Sequence, residues 1–250
     1  MQHRILLAGA TGAIGRRLSP LLLEAGHTVF GMTRSRESAS TLKAAGLAPV
    51  IADVFDAETL VQAVAWAAPT LIIHQLTDLP PALDPARMGE AVGRNARIRR
   101  EGTRNLVTAA LAAGADRMIA QSIAWAYAPG PEPHAETDPL DLDAEGMRAV
   151  SVGGVVALER AVLQTPPLRG VVLRYGQLYG PGTGFAASQG SAPLHVDAAA
   201  SAALLAIDRV EAGIFNIAEP NAYAATDAAR RALGWDSGFR LRPAVAAAAG

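Results

Sequence analysis

The apolar residues of this chain follow two alternating rhythms. Short, nearly unbroken aliphatic runs recur at residues 5–8, 28–32, 48–52, 70–74, 117–121 and 170–175, and between them Leu, Val and Ala return at three- and four-residue spacing. The runs suit strands buried on both faces, and the wider spacing suits helices with one apolar stripe. Strand and helix in strict alternation predict an α/β fold, a doubly wound parallel sheet with helices on both sides. Helices are expected near 58–66, 88–113 and 149–163. After the sixth strand, the glycine-rich segment 176–193 reads as a crossover into a smaller portion with a helix at 198–207, a strand at 214–218 and a closing helix ending near Leu233-Gly234-Trp235. The alanine-rich end at 244–250 is expected to fray.

The sharpest local signal lies where the first strand gives way to the first helix. Gly9-Ala-Thr11-Gly12-Ala13-Ile14-Gly15 stands between the run at 5–8 and an amphipathic pattern carried by Leu18, Leu21 and Leu22. Gly9 and Gly12 lack the Cβ that would hold a diphosphate away from the backbone, and Gly15 lets helix and strand pack closely. The free N–H groups of the helix N-terminus then face the anion. A dinucleotide is the expected guest of the N-terminal domain, 1–176, and a small C-terminal portion, 177–250, follows the crossover with elements that can interleave with the first.

The other strand ends extend that reading. The second strand runs into Thr33-Arg34-Ser35-Arg36, with no carboxylate to hold a ribose 2′-OH and two arginines suited to a 2′-phosphate, so NADP is expected over NAD. Asp53 and Val54 follow the third strand, facing the adenine. Gln75, Leu76 and Thr77 follow the fourth, and Gln177 follows the sixth. His74, at the end of the fourth strand, reads first as a packed, hydrogen-bonded residue. The arginines of the 88–113 helix read as mostly solvated, and the proline-rich acidic segment 129–145 as a surface loop.

Composition narrows the chemistry. The absence of cysteine rules out disulfides, thiolate nucleophiles and cysteine-held metals, and no metal site is expected. A net charge of −1 gives no electrostatic ground for nucleic-acid binding, and no apolar stretch reaches the roughly 20 residues of a membrane span. A cytoplasmic protein with a small-molecule substrate is expected. Among 22 basic residues the single lysine is Lys43.

Several segments together resemble the extended short-chain dehydrogenase/reductase family, in its NAD(P)-dependent sugar epimerase/dehydratase group. They are the Gly9 to Gly15 loop, Asp53, Gly102-Thr103-Arg104-Asn105-Leu106, Leu173-Arg174-Tyr175-Gly176, Tyr179-Gly180-Pro181-Gly182, His195-Val196-Asp197 and Leu233-Gly234-Trp235. The resemblance implies a Rossmann-like domain with a small C-terminal substrate domain, here shortened, and a homodimer through the helices near 90–113 and 147–164. It also implies a Tyr-x-x-x-Lys pair eight and four residues before a glutamate, the lysine lowering the tyrosine pKa for acid/base work. Counted back from Glu159, those positions hold Ser151 and Val155. Lys43 lies on the adenosine side and does not replace the missing cation.

The family's substrate-binding serine also sits out of register: Ser122 precedes Tyr127 by five residues rather than four. Ser122 and Tyr127 are nonetheless the candidate catalytic pair, with Tyr127 as substitute proton donor and Tyr175 or a relayed water behind it. The leading expectation is an NADP-dependent reductase or epimerase-like enzyme acting on a small carbonyl-type substrate. A catalytically inactive NADP-binding sensor or scaffold, and a non-redox isomerase, lyase or cyclase, are the alternatives. Phe185, His195, Phe215 and Tyr223 are the expected lining of a modest pocket.

Overall fold

The computed structural model describes residues 1–80 and 83–242; the alanine-rich tail expected to fray lies outside them. Seven parallel strands form one sheet in the order β3-β2-β1-β4-β5-β6-β9. They are β1 (Arg4–Ala8), β2 (Thr28–Thr33), β3 (Ala48–Ile51), β4 (Leu71–His74), β5 (Arg117–Ile123), β6 (Arg169–Tyr175) and β9 (Gly213–Ile217). The unbroken aliphatic runs are explained by the two cores they serve. Ile5 and Leu7 share a core with Leu18 and Leu22 of α1 (Ala13–Glu24) and with the alanines of α7 (Val196–Arg209). Leu6 and Ala8, on the other face, join Leu60 and Val64 of α3 (Ala57–Ala67) and Leu106 of α5 (Thr103–Ala112). A central strand here has no wet face, so alternation would be destabilising.

The C-terminal portion interleaves with the rest. β9 completes the main sheet beside β6, and α7 packs on α1, where its alanines permit a close helix approach. A two-stranded ribbon, β7 (Gln177–Tyr179) with β8 (Pro193–His195), rises from the crossover, and α8 (Asp227–Leu233) follows β9. This ribbon gave no hydrophobic signal of its own, being three residues in each strand. Among the described residues no helix is long and apolar enough to cross a membrane.

Two expectations change. The helix anticipated at 88–113 begins earlier, as α4 (Pro85–Arg97), because Asp84 accepts a hydrogen bond from the Ala86 N–H at 3.0 Å and Pro85 suits the first turn. It is also broken by a π-turn at Ile98–Gly102 before α5. Strand β5 runs to Ile123 because it pairs with β6 in register from Arg117↔Arg169 to Ile123↔Tyr175. Ser122 is therefore inside a strand rather than beyond its end. The remaining helices are α2 (Arg36–Ala44), capped by Ser35, and α6 (Gly146–Leu163).

Candidate active site

The sheet reverses its winding between β1 and β4, and the crevice at their carboxyl ends is where α/β sheets take ligands. Gly9 and Gly15 shape its floor. Gly9 has φ +92°, and a Cβ there would stand 2.6 Å from the Gln75 carbonyl oxygen; one on Gly15 would stand 2.2 Å from the Gly9 carbonyl oxygen. Gly9 is thus demanded by the adjoining strand end, whereas the sequence reading gave the ligand as the reason. Gly15 acts as expected, drawing α1 onto the turn. Gly12 caps α1 with no side-chain bond, and the first turn carries no acidic residue, so its N–H groups remain open to an anion.

Beside that turn is a cavity of about 330 Å³. Gly9, Thr11, Gly12, Arg34, Asp53, Val54, Gln75, Leu76 and Thr77 line it, together with Ser35 and Ser38 at the start of α2. Arg36 does not. The Asp53 carboxylate accepts a hydrogen bond from the Phe55 N–H at 2.9 Å, so part of its capacity holds the local turn. Lys43 is exposed in the last turn of α2, on this adenosine-type side. The open helix N-terminus, the glycine floor and the arginine at the β2 end fit a dinucleotide.

Gly12, Gln75 and Thr77 also border a second cavity of about 550 Å³, making one continuous groove. Ala13, Ile14, Ser122 and Gln177 line this half. Its walls are largely apolar, with Leu79, Leu83, Met88, Val92, Trp125 and Phe185. Of the C-terminal residues expected there, Phe185 alone arrives. His195 instead caps α7 by accepting the Asp197 N–H at 3.1 Å, Phe215 lies in the core, and Tyr223 packs edge-on to His134.

The two candidate catalytic residues belong to a buried polar row. Ser122, Arg174 and Asn216 occupy matched positions on β5, β6 and β9, and in parallel pairing they face the same side. The Ser122 hydroxyl donates to Glu159 Oε1 at 2.9 Å, and Arg174 binds the same carboxylate through Nε at 2.9 Å and Nη2 at 2.7 Å. Burial opposes the Arg174 charge, yet the bonds to Glu159 outweigh it and hold its pKa above the ordinary value. The Tyr127 hydroxyl donates to Asn216 Oδ1 at 2.6 Å and accepts from Arg174 Nη1 at 2.9 Å. Its ring stacks on His134. Burial raises its pKa, and the phenol is 2% exposed and outside the cavity lining. The structure places Tyr127, the expected proton donor, away from the groove: four residues past the end of a strand that is itself longer than expected, its side chain turns into the core.

Tyr175 borders the cavity, but its hydroxyl donates to the Ala199 carbonyl at 3.2 Å and accepts from Gln75 Nε2 at 3.4 Å. Burial pushes its pKa up as well. The acidic segment 129–145 is pinned rather than loose: the Glu136 carbonyl accepts from Arg174 at 3.2 Å and its carboxylate accepts the Asn216 N–H at 2.9 Å. None of its residues lines either cavity.

Where the family's tyrosine is expected, Ser151 borders the cavity; where its lysine is expected, Val155 is fully buried. The nearest cation is Arg99 of the π-turn, whose Nη1 reaches Ser151 Oγ at 3.5 Å. It is one of the helix arginines expected to be mostly solvated. The clue was present: Met88, Val92, Asn95 and Arg99 recur at four, three and four residues, one helix face, and all four line the cavity. His74 is fully buried, with Nδ1 accepting the Leu76 N–H at 3.2 Å and Nε2 at 3.0 Å from Thr103 Oγ1. Burial first, and the Arg99 charge second, lower its pKa to about 4, so it is a neutral structural brace.

Known proteins agree with this architecture. A UDP-glucose 4-epimerase of Thermotoga maritima, solved with UDP-glucose, superposes with a TM-score of 0.75 at 18% identity, covering 96% of this chain and 94% of that one. A Bordetella bronchiseptica enzyme in complex with NAD and UDP gives 0.72 at 19% identity, covering 96% and 91%. A 3-diazoavenalumate denitrifying reductase of a Streptomyces species is 40% identical over 237 residues, spanning 86% of this chain and 76% of the relative. An uncharacterized protein of Schizosaccharomyces pombe is 39% identical over 115 residues, 44% of this chain and 38% of that protein. The family description "NAD dependent epimerase/dehydratase family" matches residues 5–192, and with the glycine turn, the winding reversal and the groove in place, the chain belongs to that family.

Proposed function

We propose that the protein is an NADPH-dependent reductase whose substrate accepts a hydride without needing a proton from the enzyme, an aryl diazonium being the best-fitting class. The observation that carries this reading is the missing donor: among the described residues lining the substrate half, the one phenol, Tyr175, is bonded away, and Ser151 and Val155 replace the acid/base pair. Carbonyl reduction leaves an alkoxide that must be protonated, so the carbonyl substrate expected from the sequence is poorly served here. When bound, the reduced nicotinamide supplies a hydride, and its replacement of dinitrogen on an aryl diazonium balances with one C–N bond broken, one C–H bond formed and no added proton. The Streptomyces relative, named for a diazo compound and its denitrifying reduction, supports the same class.

The chain's own residues serve binding and exclusion. Gly9, Thr11, Gly12, Ala13 and Ile14 seat the diphosphate, Gly15 holding α1 close beneath them, and Asp53, Val54, Gln75, Leu76 and Thr77 border the nucleoside. Arg34 with Ser35 and Ser38 receives the 2′-phosphate, which favours NADP over NAD. Gln177 and Ser122 flank the nicotinamide end, the serine through its oxygen because its proton is given to Glu159. The apolar wall admits a flat ring and keeps water out.

The test is incubation with an aryl diazonium and NADPH carrying deuterium at the transferable position. Deuterium on the aryl carbon, with dinitrogen released and the cofactor oxidised, is expected. Reduction of aryl ketones with no reaction at the diazonium overturns the reading, as does tight cofactor binding without any turnover. Thermal stabilisation by NADPH should exceed that by NADH and fall to equality in Arg34→Leu; equal shifts in the parent protein refute the NADP preference.

A further inference from the structure

The substrate half of the groove holds a charge that the protein does not neutralise. Arg99 is recessed in a wall of Met88, Val92 and Trp125, and among the described residues its guanidinium has one hydrogen bond, the 3.5 Å contact with Ser151 Oγ, and no ion pair. The nearest buried carboxylate, Glu159, is taken by Arg174 Nε and Nη2 and by Ser122. Asn95, beside Arg99 on the same stripe, is also spent: Oδ1 accepts the Asp78 N–H at 3.0 Å, and Nδ2 donates to the carbonyls of Asp78 and Ala91. A guanidinium carries five N–H donors, and those of partly buried Arg99 that Ser151 does not use are open to the cavity rather than sealed in the core, free to meet an acceptor there. Burial does lower the Arg99 pKa, to about 10, which leaves it charged at neutral pH.

The position assigns this charge to the substrate rather than to the dinucleotide. Ile98 and Arg99 are neighbours in the π-turn, yet Ile98 borders the adenosine half and Arg99 the apolar half. The π-turn is itself braced: Thr103 Oγ1 donates to the Ile98 carbonyl at 3.4 Å and bonds His74 at 3.0 Å. Arg99 is thereby offered from a fixed backbone, the condition for a selective contact.

We infer that Arg99, assisted by the Ser151 hydroxyl, is the anchor for a carboxylate on a flat, apolar substrate, and that this anchor sets which end of the substrate faces Ser122. The inference rests on the reading of this half as the substrate site. A carboxylate matches the fork of a guanidinium with two parallel bonds, and the aliphatic and aromatic wall accepts the ring. The substrate class is thus an aryl or arylalkenyl carboxylic acid.

Binding without cofactor tests the anchor separately from turnover. Cinnamate and its neutral isostere cinnamamide are titrated against the whole protein by calorimetry. A charge-assisted pair in a recessed site predicts tighter binding of the acid by about tenfold or more. Arg99→Met should abolish that preference while its thermal stabilisation by NADPH stays as in the parent, and Arg99→Lys should keep part of it. Equal affinity for acid and amide in the parent protein overturns the anchor, as does a preference that survives in Arg99→Met. If acid-selective binding holds but no diazonium is reduced, the reaction falls and the anchor stands. If reduction proceeds as fast on an aryl diazonium without a carboxylate, the anchor falls and the reaction stands.

Discussion

His74 makes stability depend on pH in a window set by its burial. The ring is fully buried at the end of β4, uses both nitrogens, and has a pKa of about 4 against an ordinary 6.5. Between those values the unfolded chain takes up a proton that the folded chain refuses, so folding weakens as pH falls through the window and is unaffected above it. Each pH unit is worth about 1.4 kcal/mol, and the whole window about 3 kcal/mol. The perturbation is His74→Gln, whose amide can still donate to Thr103 but does not titrate. Losing the acceptor for the Leu76 N–H should destabilise it by about 1–3 kcal/mol at every pH. Urea unfolding of both proteins at steps from about pH 7 to pH 4 gives two curves. The parent curve should fall toward the variant's by about 3 kcal/mol as pH drops, and subtraction removes the other histidines common to both. Parallel curves would refute the argument, because they would mean that His74 accepts its proton in the folded state as readily as in the unfolded one.

Other consequences follow from the polar row. Tyr127→Phe should keep full turnover while losing about 1–3 kcal/mol of stability, since Asn216 and Arg174 each lose a buried partner; lost turnover at unchanged stability would restore Tyr127 as a participant. Glu159→Leu should lose about 3–5 kcal/mol in urea unfolding, because it strands the Arg174 guanidinium, which is 3% exposed, in the core. A loss below about 1 kcal/mol would show the pair to be hydrated. Met147 and Val150 are exposed at the start of α6, which packs on α4, and light scattering should report a dimer through these helices; a monomer at working concentration removes that expectation.

Much of the framework was determined by the sequence alone. Strands buried on both faces must be aliphatic without alternation, helices between them must carry one stripe, and a strand-to-helix turn that admits a diphosphate must be rich in glycine. These are local requirements, visible at spacings of one helical turn, and they located the groove and its nucleotide half. The resemblance to the family, counted back from Glu159, added that Ser151 and Val155 stand where an acid/base pair is expected. Tertiary structure alone decided what Ser122, Tyr127 and Arg99 do. The pairing of β5 with β6 drew Ser122 into a strand and gave its proton to Glu159, and the Arg174 and Asn216 positions on β6 and β9 captured the Tyr127 hydroxyl. The π-turn between α4 and α5 brought Arg99 into an apolar cavity beside Ser151. Each of these depends on strand register and on contacts between residues far apart in the chain, and a side chain's neighbours across a sheet leave no periodic trace in its own segment.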